Sequence, residues 1–318
     1  MIQSKLRIIL KNVTILFLGC MLANLFYECF PFTCKSNAQT VSPAVPEEAS
    51  STDYSNVEKI LNTTGQMKEG VFVVQFPRSD LKMKINDEPM PVALGFTSWV
   101  AFKKITKGFI IMGDLVLLEK EINPVISSPT KAGIKITALH NHFLGEEPRL
   151  MYMHIYGEGN ADQLSRGIRE ALHRTATPSQ HTVQDAPNIS IYTNKLEEII
   201  GHKGQKVGGG VFKITVGRSG VKHNDIELTS SMGINSWAAF TGTNERSHVA
   251  GDIVMTAEEV NPVIGILRQG GIEIFAVHNH MLDEKPRIFF LHYWGTGPAE
   301  KLAQTVRKAF DEVKKPIE

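Results

Sequence analysis

Ala138-Leu139-His140-Asn141-His142, followed by Glu146-Glu147-Pro148-Arg149, His154 and Gly157-x-Gly159, is written twice in this chain. The second copy reads Ala276-Val277-His278-Asn279-His280, then Glu284-Lys285-Pro286-Arg287, His292 and Gly295-x-Gly297, every matched pair lying 138 positions apart without a gap. In an extended strand side chains alternate faces, so His140 and His142 share one face and Asn141 takes the other. Gly145 to Pro148 has the make-up of a turn, and Arg149 to Tyr156 is again apolar and β-prone. A hairpin centred near Glu147 places His154 opposite His140 on the same face, so that three imidazoles converge within reach of one small ion. A register slipped by one residue would turn His154 away.

The repeat extends beyond the histidines. Gly95 and Trp99 match Gly233 and Trp237, Gly113-Asp114 matches Gly251-Asp252, and Asn123-Pro124-Val125 matches Asn261-Pro262-Val263. Near the start the offset becomes 140, where Val71-Phe72 aligns with Val211-Phe212, which one two-residue insertion in a loop explains. Each copy reads as an opening helix, strands near 71–76, 82–85, 98–102 and 109–117, a helix, the histidine hairpin, and a last helix from about Ala161 to His173. In that last helix Leu164, Ile168 and Leu172 line one face. The order predicts an α+β fold: a tandem internal repeat, each copy an antiparallel or mixed sheet with packed helices, the two in a pseudo-twofold arrangement.

At 318 residues the chain has length for two such units. Residues 1–38 read as a signal peptide or an N-terminal anchor: Lys5, Arg7 and Lys11 precede an apolar run from Val13 to Tyr27, and Ser36-Asn37-Ala38 offers a small-x-small cleavage site. Phe17-Leu18-Gly19-Cys20 is a poor match to a bacterial lipidation site. Residues 39–53 form a spacer rich in Pro, Ser, Ala and Glu, 54–176 the first repeat, 177–190 a linker, and 191–318 the second repeat. The expected location is outside the cytoplasm, whether periplasmic, secreted or anchored on the outer side, with contact to membrane only through the N-terminal segment. A net charge of +1 with interspersed acids and bases argues against a nucleic-acid partner and leaves a metal or small-molecule ligand as the expected one.

All three cysteines, Cys20, Cys29 and Cys34, lie before Ala38, so a chain cleaved there has no disulfide, no thiolate nucleophile and no sulfur ligand. Any metal then takes nitrogen and oxygen. Of eleven histidines, six form the matched triplets His140, His142, His154 and His278, His280, His292, whereas His173, His181, His202, His223 and His248 have no counterpart in the other copy. A lone buried histidine is usually a hydrogen-bonded core residue, but three neutral rings on one face need partners for six nitrogens, and a metal supplies them. Glu146 or Glu284 would complete a three-histidine, one-carboxylate set, which resembles the metal motif of cupins, although the helices and the repeat do not suit a jelly roll. Such a set takes a divalent transition metal: Zn, Mn, Fe, Ni or Cu.

The rival role for Glu146 and Glu284 is an ion pair with Arg149 and Arg287. In a metal-dependent enzyme the glutamates would be ligand or general base, and the arginines would steady an anion. In a binding protein the same sites would hold metal or a small ligand without turnover. An open coordination position favours the first and a closed one the second. Thr256-x-x-Glu259 reads as a capping box, with Glu121 at the matching place after Leu118, and Asn123-Pro124 and Asn261-Pro262 as helix starts. Asp114 and Asp252, each after a glycine, fit a turn at least as well as a catalytic role. Trp99, Trp237, Tyr156 and Trp294 read as core. No Gly-x-Ser-x-Gly, P-loop or dinucleotide fingerprint is present.

Gly-Asp-(Leu/Ile)-Val, Glu-(Ile/Val)-Asn-Pro-Val-Ile and Ala-(Leu/Val)-His-Asn-His with the later Pro-Arg and His resemble the motifs of the LppY/LpqO family, known chiefly as a domain of unknown function. The resemblance covers nearly all of residues 54–318. It implies an exported, lipoprotein-like protein and carries no established activity.

Overall fold

The computed structural model describes residues 53–178 and 189–313. The expected signal or anchor, the first spacer and most of the linker lie outside the described residues. The first repeat runs α1 (Ser55–Leu61), β1 (Gly65–Lys68), β2 (Val71–Pro77), β3 (Lys84–Ile85), β4 (Glu88–Pro89), β5 (Thr97–Ile105), β6 (Gly108–Leu118), α2 (Ile122–Ile126), β7 (Lys135–His140), β8 (Glu146–Glu147), β9 (Leu150–Gly159) and α3 (Ala161–Leu172). The second runs α4 (Thr193–Ile200), β10 (Gly204–Val207), β11 (Val211–Gly217), β12 (Lys222–His223), β13 (Ile226–Glu227), β14 (Asn235–Gly242), β15 (Ser247–Thr256), α5 (Val260–Gln269), β16 (Glu273–His278), β17 (Ile288–Gly297) and α6 (Ala299–Glu312). Each repeat forms a six-stranded antiparallel sheet, β1-β2-β5-β6-β9-β7 and β10-β11-β14-β15-β17-β16. This is the α+β tandem fold that the sequence predicts. The short first strand β1 was not expected, because Gly65-Gln66-Met67-Lys68 has no apolar alternation and its last three residues are exposed at the sheet edge.

Period-two alternation explains the layering. On β6, Ile111, Leu115 and Leu117 join a core shared with α1 and α3, while Ile110, Met112 and Val116 point the other way into cores that mix residues of both repeats. Leu164, Ile168, Ala171 and Leu172 of α3 close the first core, and Leu302, Ala303, Val306 and Phe310 of α6 close its counterpart. Asn160 caps α3 by accepting from the backbone N–H groups of Asp162 and Gln163. The two sheets therefore pack face to face with helices on their outer faces. Both mixed cores are related by the repeat: Val116, Leu150, Tyr152 and Phe143 in one stand where Val254, Ile288, Phe290 and Met281 stand in the other.

The contacts between repeats are reciprocal, as a twofold arrangement requires. Asn141 Nδ2 donates to the Phe275 carbonyl at 3.1 Å, and Asn279 Nδ2 to the Thr137 carbonyl at 2.9 Å. A Cβ built on Gly95 would lie 3.8 Å from Trp237, and one on Gly233 would lie 2.8 Å from Trp99, so each tryptophan of the matched Gly/Trp pairs packs on the opposite repeat's glycine.

Within each repeat a buried arginine ties the strand end to the following helix. Arg78 Nη1 donates to the Val116 carbonyl at 2.7 Å and pairs with Glu121 at 2.8 Å; Arg218 does the same with Val254 at 2.9 Å and Glu259 at 2.6 Å. The glutamates also accept from the backbone N–H of Leu118 and Thr256. Glu121 keeps this bond without a capping threonine, because the carboxylate needs only a backbone donor, so the structural reading of both glutamates holds. Removing one partner of such a buried pair costs about 3–5 kcal/mol.

Candidate metal centre

The histidine hairpin forms with a register two residues from the expected one. His140 faces Tyr152 and Ala138 faces His154, with an irregularity between Ile136 and Ala138. A shift of two preserves the face, so His154 still shares it with His140. The second repeat repeats this pairing, His278 with Phe290 and Ala276 with His292. Since both inner faces meet between the sheets, the two triplets form one cluster. The rings of His140 and His278 stack at 3.5 Å between centroids, and the tilted pairs His142/His292 and His154/His280 lie at 3.7 and 3.8 Å. All six histidines are between 2% and 9% exposed, so the cluster is shielded from solvent.

Backbone carbonyls orient four of the rings. His140 and His278 reach the carbonyls of Asn141 and Asn279, both at 3.1 Å, and His292 reaches that of Gly251 at 3.3 Å. His154 makes the matching bond to Gly113. A carbonyl only accepts, so the ring proton sits on the bonded nitrogen and the Nε2 lone pair is left free. Outer hydrogen bonds of this kind are how proteins aim metal-ligating imidazoles. The Nε2 atoms of all six rings are buried without a hydrogen-bond partner, as are Nδ1 of His142 and His280.

Two carboxylates belong to the cluster, and they are Asp114 and Asp252. Asp114 Oδ2 lies 3.5 Å from His142 Nε2, and Asp252 Oδ2 lies 3.7 Å from His280 Nε2 and 3.9 Å from His292 Nε2. Their Oδ1 atoms are buried and unpartnered. Each aspartate faces the opposite sheet from a central strand, not a turn. The glycine before it has its own reason: a Cβ on Gly113 or Gly251 would lie 2.6 or 2.4 Å from the backbone oxygen of Trp99 or Trp237. A signal was available in the sequence, since Asp114 is the one acid in the inner-face stripe Ile110, Met112, Asp114, Val116.

Burial sets the charge states. It holds all six histidines below their ordinary pKa, His140 at about 4, with repulsion among the rings adding to the effect at the other five. The rings are neutral at pH 7, the form that ligates metal. Burial also pushes the carboxyls of Asp114 and Asp252 up to about 8. A divalent cation would reverse that by supplying the missing positive charge.

The other expected residues make bonds of their own around the hairpin turns. Glu146, in β8, pairs with Ile85 and accepts from the backbone N–H of Leu150 at 3.3 Å; Glu284 accepts from that of Ile288 at 3.2 Å. Each glutamate thus braces the turn into the strand that bears the third histidine. Arg287 pairs with Glu284 at 3.3 Å and caps the carbonyls of Met281 and Leu282, whereas Arg149 reaches exposed Glu119 at 3.6 Å. Among the described residues, the groups with donor atoms mutually within 4.8 Å are His140, His142 and His292; His140, His154 and His278; and Asp252, His278 and His280. None includes Glu146, Glu284, Arg149 or Arg287. Of the unmatched histidines, His248 binds Glu88 at 2.9 Å and His223 lies 3.6 Å from Glu158, both away from the cluster. Trp294 and Tyr156 are core, as expected.

Tyr152 breaks the symmetry beside the histidine cluster. Tyr152 stacks on His142 at 3.3 Å where Phe290 stacks on His280 at 3.2 Å, and the Tyr152 hydroxyl is buried without a partner. An unpaired buried hydroxyl is costly, so Tyr152→Phe is expected to leave the metal-free chain as stable or up to about 1 kcal/mol more stable in urea unfolding. A loss exceeding 1 kcal/mol would show that the hydroxyl has a partner.

The fold and site define a duplicated α+β sandwich with a histidine-lined centre between its halves. The chain belongs to the family described as Domain of Unknown Function (DUF1259), whose profile matches residues 55–174 and 194–312, one copy per repeat. No curated protein matches it. Among solved structures it is similar to the trimeric bacterial microcompartment shell protein PduB (12% identity, covering 78% of this chain and 89% of that one, TM-score 0.20). It is also similar to EtuB from Clostridium kluyveri (8% identity, 78% and 88% covered, TM-score 0.20). A third is the double-ringed trimeric shell protein MSM0271 (10% identity, 80% and 97% covered, TM-score 0.19). At these TM-scores the likenesses carry nothing over to this chain. Among the described residues no helix is long and apolar enough to cross a membrane.

Proposed function

We propose that this chain is a metal-binding protein that holds divalent transition metal between its two repeats, with ligands drawn from His140, His142, His154, His278, His280 and His292 and with Asp114 and Asp252 as the nearby carboxylates. The observation that carries this reading is the set of six Nε2 atoms, all buried, all unpartnered and drawn from both repeats. Desolvating so many acceptors without a hydrogen-bond partner is unfavourable, and bound metal compensates for it. The nitrogen and oxygen donor set suits Zn, Mn, Fe, Ni or Cu.

The closed, aromatic-walled setting favours holding the ion over turning over a substrate, so the binding function is the first reading. Metal-dependent chemistry on a small substrate is the second, favoured by the one-sided Tyr152 hydroxyl. In either reading Glu146, Glu284 and Arg287 brace the hairpin turns. The basic and apolar N-terminal segment, with its small-x-small site, and the likeness to LppY/LpqO proteins support export, as a periplasmic, secreted or anchored protein.

Elemental analysis of the tag-free chain tests the reading. Near-stoichiometric metal is expected, with loss of metal when His140 and His278 are both changed to Ala in a chain whose circular dichroism shows it folded. A folded wild-type chain that takes up none of the five metals would refute it.

A further inference from the structure

We infer that the cluster is a two-metal centre, one ion ligated by His140, His142 and His292 and its symmetry mate by His278, His280 and His154, so that each ion takes two histidines from one repeat and one from the other. This inference rests on the metal-binding reading and deepens it.

The ring geometry comes in two matching sets. Among His140, His142 and His292 the centroid separations are 5.1, 5.4 and 3.7 Å. Among His278, His280 and His154 the corresponding separations are 5.2, 5.4 and 3.8 Å. The repeat operation converts one set into the other, and His140 and His278 stack face to face where the sets meet. A carboxylate also stands beside each set, Asp114 at His142 and Asp252 at His280, with Asp252 reaching His292 of the first set at a slightly longer distance.

Donor supply points the same way. Six Nε2 lone pairs and two carboxylates make two four-coordinate sets of three nitrogens and one oxygen, a common zinc-type complement. A single four-coordinate ion would leave four of these eight groups, at least two of them rings, buried with nothing to bind. A single six-coordinate ion needs all its donors around one point, yet among the described residues the donor atoms gather within 4.8 Å only in threes. Of the two proposed sets, His140, His142 and His292 meet that limit together; in the other, His278 and His280 meet it with Asp252, and His154 meets it with His140 and His278.

The test uses the full chain stripped with chelator, then titrated with Zn(II) and counted by elemental analysis after desalting; a parallel sample is loaded with Cu(II) for electron paramagnetic resonance. Two Zn(II) per chain are expected, with a half-field copper signal from two coupled ions. His142→Ala and His280→Ala, each removing a ligand from one set, are each expected to reduce the count to one. The copper spectrum of the wild-type chain decides the matter without relying on how either variant folds. One ion per chain, or two with only isolated-ion spectra, would overturn the two-metal centre and leave metal binding standing. No ion at all would overturn both.

Discussion

Stripping the metal is expected to lower the melting temperature of this protein by about 8–16 °C. The proposed ligands come from both repeats, so an ion held by them would join the two sheets across their interface. The unfolded chain presents the same histidines without convergence, and a ligand that binds only the folded state at about 1,000 times its dissociation constant stabilises by about 4 kcal/mol. For a folded region of this size each kcal/mol is worth about 2–4 °C. Scanning calorimetry with saturating metal and with excess chelator measures the difference. In the chain with His140 and His278 both changed to Ala, the two scans should coincide. Coincident scans in the wild-type chain, at metal concentrations that elemental analysis shows to be saturating, would contradict the interfacial position of the ion.

Acid is expected to unfold the metal-free chain well before it unfolds an ordinary domain. The six clustered histidines have folded-state pKa values below the ordinary 6.5, His140 at about 4. As pH falls through 6.5 the unfolded chain takes up protons that the folded chain refuses, so stability drops, by about 1.4 kcal/mol per pH unit for each ring. Asp114 and Asp252 act in the opposite sense. With folded values of about 8 against an ordinary 3.8, they keep protons that the unfolded chain has lost, so their contribution is present at low pH and is lost as pH rises towards 8. Between pH 4 and 6.5 the six histidines outnumber the two aspartates, and the net slope favours unfolding in acid, with an upper limit on the order of 5 kcal/mol per pH unit. Urea titrations in chelator at pH 7.5, 6.5 and 5.5 should show midpoints falling steeply towards the acid end. A flat profile would mean that the rings are not buried together in the neutral form.

The repeat made much of this architecture legible. Matched Gly, Trp, Asn-Pro and His positions located two copies, and the alternation in 109–117 and the spacing of Leu164, Ile168 and Leu172 located strand and helix in each. The six histidines were legible for the same reason: they alone among eleven recur. The meeting of the triplets in one cluster was not legible, because strand periodicity fixes the face of a residue within its own sheet and is silent about what that face packs against. Asn141 shows the gap well. The strand ends at His140, one residue before it, and only the packed sheets reveal that it holds the other repeat's edge strand at Phe275.

The carboxylates have local roles that spacing alone does not reveal. Glu146 and Glu284 sit at ligand-like spacing after His-x-His, but the turn they occupy leaves backbone N–H groups of Leu150 and Ile288 that need an acceptor, and the glutamates supply it. Gly113-Asp114 and Gly251-Asp252 look like turn dipeptides. Each glycine instead leaves room for the carbonyl of Trp99 or Trp237, and each aspartate stands in a buried strand facing the histidines. A charged residue in a strand buried on both faces is the stronger signal of a site, and here it outweighs the local turn preference.

Anomalous diffraction from crystals of the metal-loaded chain, with data on either side of the metal's absorption edge, tests the central claim most directly. The account predicts anomalous density between the two sheets, within ligating distance of histidines from both repeats. Density confined to the protein surface, or to one triplet with the other repeat's histidines turned away, would contradict it.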